Sequence, residues 1–283
     1  MTGSSARWAI RHLSTYRYTV PVAFATHLLR LTPRLDAARI TTRSLQIAPT
    51  PLRIDDYTDQ YGNTCTRIEF GSEQAGELRV ESRVELERLA PLKPAWLPSL
   101  TPLPWLLPLG DALWSFRTHD FDPGVAALAG KIVAETGGAP LAFLEQLNRT
   151  LYTTIDRQLR LDGAAQTPAV TLSTLRGACR DLTVLFLAAC RAVGMAGRFV
   201  SGYQGEEQTP DGQRHLHAWP EVLVPELGWV GWDPTHGIPV GAGHVALCAA
   251  PSQAETMPIE GGFFFNGSDV TSTLAYEITF LPV

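Results

Sequence analysis

Gly177-Ala-Cys-Arg-Asp-Leu-Thr-Val-Leu-Phe-Leu-Ala-Ala-Cys-Arg-Ala-Val-Gly194 is the stretch from which the rest of the chain can be read. It predicts a helix from Cys179 to Val193, ended by Gly194. Its apolar residues surround nearly the whole circumference, so the helix should be buried at the centre of a domain. Cys179 stands in its first turn, where backbone N–H groups lack intrahelical partners and the positive end of the helix dipole gathers. Both favour thiolate, the nucleophilic form of cysteine. A buried cysteine is more often a packing residue, and Cys190, inside the same apolar run, reads as one.

Strands follow the helix. Arg198 to Tyr203, His217 to Val224, Trp229 to Asp233 and Leu274 to Phe280 are the candidates. The turn Pro225-Glu-Leu-Gly228 folds the second onto the third. His217 begins one of these strands and Asp233 ends the next, so both should meet at the open end of the hairpin. Asp233 could then accept from one imidazole nitrogen while the other faces Cys179. Nucleophile, base and orienter would then lie within reach of one another, as thiol catalysis requires. Asp233-Pro-Thr235 is also a turn opener, and the two roles are compatible. His215 shares a face with His217, which raises a metal site, but no CxxC or HExxH spacing accompanies the pair. No metal or cofactor is expected. His236 and His244 read as residues of solvated loops. Trp219, Trp229 and Trp232 read as packing around the hairpin, with Trp219 also able to wall the site.

Upstream, residues 8–89 read as β. Leu78, Val80, Ser82, Val84 and Leu86 alternate with Arg79, Glu81, Arg83, Glu85 and Glu87, giving one inward face and one charged face. Tyr16, Tyr18 and Val20 repeat the pattern, and Asp59-Gln-Tyr-Gly-Asn63 is a turn. Pro91, Pro94, Pro98, Pro102, Pro104 and Pro108 then punctuate a stretch rich in tryptophan and leucine, expected to pack as a strap. Two helices follow. One begins at Asp122-Pro123 and closes at Gly137-Gly138; the other runs from about Pro140 to Tyr152. The expected division is a β-rich domain over 1–90, the strap over 91–108 and a catalytic domain over 109–283.

The whole chain restricts function further. With 283 residues, 45% of them hydrophobic, it can fill one large or two ordinary cores. A formal charge of −5 gives no basic footprint for nucleic acid. No secretory leader and no membrane span are apparent. Cys65, Cys179, Cys190 and Cys248 are too few and too scattered for a disulfide framework. A reducing cytoplasm is the expected setting.

Four segments together resemble the bacterial transglutaminase-like superfamily, often described as cysteine proteases. They are Leu175-Arg-Gly-Ala-Cys-Arg-Asp-Leu182, Gly194 to Tyr203, His217-Ala-Trp-Pro-Glu-Val222, and Gly228-Trp-Val-Gly-Trp-Asp-Pro-Thr-His-Gly237. The N-terminal half, including the Asp59 to Asn63 turn, resembles that family's bacterial N-terminal region. Ala178 replaces a commonly larger apolar residue, and Pro220 interrupts the His217 strand. The resemblance implies an α+β fold: a β-sandwich-like N-terminal domain, then a papain-like core in which a cysteine-bearing helix packs on an antiparallel sheet. It implies a triad of Cys179, His217 and Asp233 working through a thioester on a peptide or protein substrate. Hydrolysis of an amide or peptide bond is the expected outcome. Acyl transfer from glutamine to an amine is the alternative within catalysis, and a binding or assembly module with a vestigial triad is the alternative outside it.

Overall fold

A computed structural model describes residues 7–89, 100–105, 111–118, 122–205, 211–267 and 269–283. Period-two alternation builds the first half. Its strands are β1 (Arg7–Phe24), β2 (His27–Leu29), β3 (Ala38–Ala48), β4 (Arg53–Thr58), β5 (Thr64–Glu69) and β6 (Gln74–Arg88). β1, β6 and β3 are neighbours in one sheet, and β2, β5 and β4 in a second. The inward side chains of both, among them Ile10, Val22, Ile68, Leu78, Val80 and Leu86, form one core. The outer face of β6 is less solvated than its charges suggest: Glu81 is buried, accepting from Arg11, Arg79 and Arg83.

The second half opens with helices α1 (Pro123–Glu135) and α2 (Pro140–Thr154). Asp122 caps α1, its Oδ1 accepting the Val125 N–H at 2.9 Å. Next come β7 (Asp156–Arg157), α3 (Pro168–Thr174), β8 (Arg176–Gly177) and α4 (Cys179–Ala192). Strands β9 (Gly197–Gln204), β10 (His217–Val224), β11 (Gly228–Asp233), β12 (Ile238–Pro239) and β13 (His244–Ala250) form an antiparallel sheet ordered β12-β11-β10-β9-β13. α4 is central, as its all-round apolarity predicts. Leu182, Leu185, Phe186, Ala189 and Cys190 are fully buried among α1, α2 and the sheet residues Val222 and Val224. Burying each large side chain contributes about 1.5–3 kcal/mol. Pro220 pairs with Phe199 of β9, and the β10–β11 ladder begins only at Glu221. The missing N–H thus costs β10 no ladder bond toward β11.

The chain ends with β14 (Ile259–Glu260), β15 (Phe263–Phe264) and β16 (Ser272–Pro282). Here linear division and sheet membership part. β16 runs antiparallel to β1 from Trp8↔Pro282 to Tyr18↔Ser272 and so completes the N-terminal sheet. β14 joins β2, and β15 joins β1. The C-terminal alternation around Leu274 and Phe280, counted with 109–283 in the expected division, thus lies beside β1. Of the expected strap, residues 91–99 and 106–108 lie outside the described residues. Within 100–105, Leu103 is buried, and its N–H donates to Gly138 O at 2.8 Å.

The halves are fastened by the Asp59 to Asn63 turn. Asn63 is fully buried; its Oδ1 accepts the Ala249 N–H at 2.8 Å and its Nδ2 donates to Ala249 O at 3.0 Å, gripping β13 at one residue. Asp59 orients it, and Arg34 also donates to its Oδ1. Asn63→Ala would leave both backbone groups of Ala249 without these buried partners. We expect it to lower unfolding stability by on the order of 3 kcal/mol in urea denaturation. A midpoint equal to that of the unaltered protein would contradict this role.

Candidate active site

Cys179 is delivered by a tight connection. α3 ends at Leu175, β8 pairs in parallel with β7, and α4 starts two residues after Gly177. A Cβ on Gly177 would lie 3.0 Å from the Asp181 Cβ and 3.1 Å from Leu182 Cδ1, so glycine lets β8 press against the first turn of α4. Asp181, fully buried, caps that turn: its Oδ2 accepts the Ala178 N–H at 2.7 Å. Its Oδ1 accepts from Gln166 N and from Arg160 Nη2 at 2.6 Å. Cys179 itself is half-buried.

The hairpin β10–β11 brings His217 and Asp233 to its open end. His217 Nε2 donates to Asp233 Oδ2 at 2.8 Å, leaving Nδ1 for the thiol of Cys179, with which the side chain is hydrogen-bonded. The structure brings these three candidate residues together. Burial alone would raise the thiol, but the His217 hydrogen bond and charge outweigh it and hold it below the ordinary cysteine value. Burial alone would depress His217, yet the Asp233 charge and hydrogen bond, with the Cys179 contact, lift it to about 10. Both shifts favour a thiolate–imidazolium pair.

Asp233 has more partners than sequence reasoning assigned. It is fully buried and accepts five hydrogen bonds. Oδ1 takes the N–H groups of Thr235 and His236. Oδ2 takes His217, His236 Nδ1 at 2.7 Å and His244 Nε2 at 2.9 Å. The Gly241 N–H donates to His244 Nδ1, which fixes His244 as the neutral tautomer with its proton on Nε2. Burial pushes the Asp233 carboxyl up, but the three imidazoles hold it well below the usual carboxylate range. His236 and His244 are therefore not loop residues in water. His236 follows Asp233 by three positions inside the same turn, a spacing that could have been read. His244 opens a wholly buried strand and carries no local signal.

Other expectations are redistributed. His215, paired in sequence with His217 for a metal, turns away: Nδ1 is 2.6 Å from the Tyr276 hydroxyl and Nε2 is 2.8 Å from Asp211. Among the described residues His217, Asp233 and His236 are the group whose ligand atoms lie close enough for a metal ion, all within 4.8 Å of one another. An ion there would take the His217 nitrogen that now donates to Asp233. Trp219 packs edge-on to His244 with ring centroids 5.2 Å apart, behind the site rather than along it.

The thiol opens on a cleft of about 910 Å³. Cys179, Arg180, His217 and His236 line it from the core, and Ser14, Tyr16, Leu274 and Tyr276 from the N-terminal sheet. The other cysteines are buried, and burial raises each of their pKa values, Cys248 to about 12. Iodoacetamide at mildly acidic pH is therefore expected to alkylate Cys179 first, read by peptide mass spectrometry. Earlier modification of Cys65 or Cys248 would contradict the assignment.

These features meet in a known family. Residues 8–87 match the bacterial transglutaminase-like N-terminal region, and residues 127–234 match the transglutaminase-like superfamily. The chain therefore carries a transglutaminase-like core behind a bacterial transglutaminase-like N-terminal region. It is 24% identical over 291 residues to an uncharacterized protein of Mycobacterium tuberculosis, covering 96% of this chain and 92% of that one. A shorter similarity, 38% over 71 residues, links it to a protein-glutamine gamma-glutamyltransferase of Pseudomonas aeruginosa, covering 23% of this chain and 11% of that protein. In fold it is similar to a Cytophaga hutchinsonii protein provisionally named a cysteine protease. That likeness has a TM-score of 0.74 at 17% identity, over 99% of this chain and 92% of the other.

Proposed function

We propose that the protein hydrolyses an amide or peptide bond through a thioester on Cys179. The observation that carries this reading is the continuous hydrogen-bonded line from the Cys179 thiol through His217 to Asp233, at the edge of the cleft. The thiolate attacks the carbonyl carbon and the oxygen takes the negative charge, held by the backbone N–H of Cys179 at the start of α4. His217 gives its Nδ1 proton to the leaving amine, the C–N bond breaks, and the acyl group stays on sulfur. Water then attacks the thioester while His217 takes its proton. The acid leaves, and thiolate and imidazolium are restored. Asp233 keeps the imidazole oriented and its charged form stable throughout.

One observation favours a second reading. The Pseudomonas relative named a protein-glutamine gamma-glutamyltransferase is similar to this chain over 71 residues, and a thioester on Cys179 would also react with an amine. Incubation with a reactive acyl donor and rising primary amine, with acid and amide quantified, separates the two. Acid is expected to dominate. Amide in excess at low millimolar amine, the range of weak small-ligand binding, would identify a transferase. Neither product, with Cys179 still alkylated, would identify a binding module.

A further inference from the structure

The cleft is charged opposite to the chain. The protein carries a formal −5, yet Arg157, Arg160, Arg180 and Arg214 line the cleft against the carboxylates Asp156 and Asp162. Arg160 is matched by Asp181 at 2.6 Å, and Asp156 by Arg176 at 3.3 Å. Arg157 and Arg180 are held differently. Arg180 Nη1 donates to Arg160 O at 2.7 Å and its Nη2 to Asp162 O. Arg157 Nη1 donates to Thr235 O at 3.3 Å, with its guanidinium 4.5 Å from the Tyr152 ring centroid. Carbonyls and an aromatic face orient a guanidinium without cancelling its charge. The carboxylates of Asp162 and Asp181 act on Arg180 only at longer range.

Both arginines line the same cleft as the thiol. Arg180 follows Cys179 directly, and its charge helps hold the thiol in its ionised form. Arg157 lies beside Gly177 in the β7–β8 pairing and reaches across to the turn after Asp233. Charge fixed in a walled cleft attracts opposite charge more strongly than the same charge on an open surface.

We propose that the cleft receives peptides with an aspartate or glutamate beside the carbonyl that Cys179 attacks, the charge of Arg157 and Arg180 binding that carboxylate. The inference rests on the reading of Cys179 as nucleophile. A lysine at the same place would meet like charge and be excluded.

The test uses the full chain and three irreversible peptide vinyl sulfones that differ only in carrying Glu, Gln or Lys next to the electrophile. Rates of Cys179 modification are followed by intact mass. Glu is expected to react faster than its isostere Gln by about tenfold, the worth of one hydrogen-bonded charge pair. Lys should be slowest, and the Glu advantage should shrink as salt rises. Arg157→Glu and Arg180→Gln should each lower the Glu:Gln ratio, and Arg157→Glu should raise the Lys:Gln ratio. Arg180→Lys should keep the Glu preference, because it keeps the charge. If Arg180→Gln does not fold, the exposed Arg157 carries the test alone, since the ratio is internal to each variant. A Glu:Gln ratio near one in the unaltered protein, or one unmoved by Arg157→Glu, would overturn the inference while leaving the nucleophile in place. No modification by any of the three would overturn the nucleophile assignment and this inference with it.

Discussion

Cys179→Ala and His217→Ala should each remove turnover to background, a loss of about three to six orders of magnitude on any substrate found. In the proposed mechanism, one deletes the atom that would form the thioester. The other deletes the base that keeps it ionised and protonates the leaving amine. Asp233→Ala should leave measurable activity, because an orienter matters less than the base it orients. The three are also distinguished by pH. In the unaltered protein activity should rise as Cys179, held below its ordinary value by His217, ionises. It should fall as His217 loses its proton near 10. Without Asp233, burial is opposed only by the Cys179 contact, so His217 titrates lower and the alkaline limb moves toward neutral pH. Full activity in His217→Ala, or an unmoved alkaline limb in Asp233→Ala, would refute the assigned roles.

The second large effect is on stability. Asp233→Ala should cost about 3–5 kcal/mol, the usual penalty for removing one partner from a buried charged network. It leaves His244 Nε2–H buried with nothing to accept it, and the N–H groups of Thr235 and His236 without their acceptor. The pH dependence has a defined sign. Asp233 is depressed in the folded state, so its stabilisation is present above the unfolded carboxylate value and lost as pH falls through the folded one. His217 is raised in the folded state, so its stabilisation is complete below 6.5 and lost as pH rises through about 10. Urea unfolding across pH should show both declines in the unaltered protein and much weaker ones in Asp233→Ala. Equal stability of the two at neutral pH would contradict the central place of this carboxylate.

Much of the architecture is written locally. The all-round apolarity of Leu182 to Ala189 marks a buried helix, Asp122-Pro123 marks a helix start, and Pro225 to Gly228 marks the hairpin that carries His217 and Asp233. These signals depend on neighbours a few residues apart. What the sequence hides is pairing at long range. β16 alternates like any edge strand, and nothing in Leu274 to Phe280 says that its partner is β1, more than 250 positions earlier. α3 is short and rich in β-branched residues, Val170, Thr171 and Thr174, which weakens any helical signal. His244 reaches Asp233 only because β13 pairs with β9 and the turn preceding β13 brings Gly241 to its other nitrogen. Thus the catalytic candidates were legible from their order and context, whereas the residues that stabilise them depend on tertiary packing.

The central claim is that Cys179 carries an acyl group during turnover, and intact-protein mass spectrometry tests it directly. The full chain is mixed with an activated acyl donor, quenched in acid within the first turnovers, and digested to place any added mass. The account predicts one acyl group, on Cys179, that disappears with time or on addition of hydroxylamine and that never forms in His217→Ala. An acyl group on another residue, or none while iodoacetamide still modifies Cys179 under the same conditions, would contradict it.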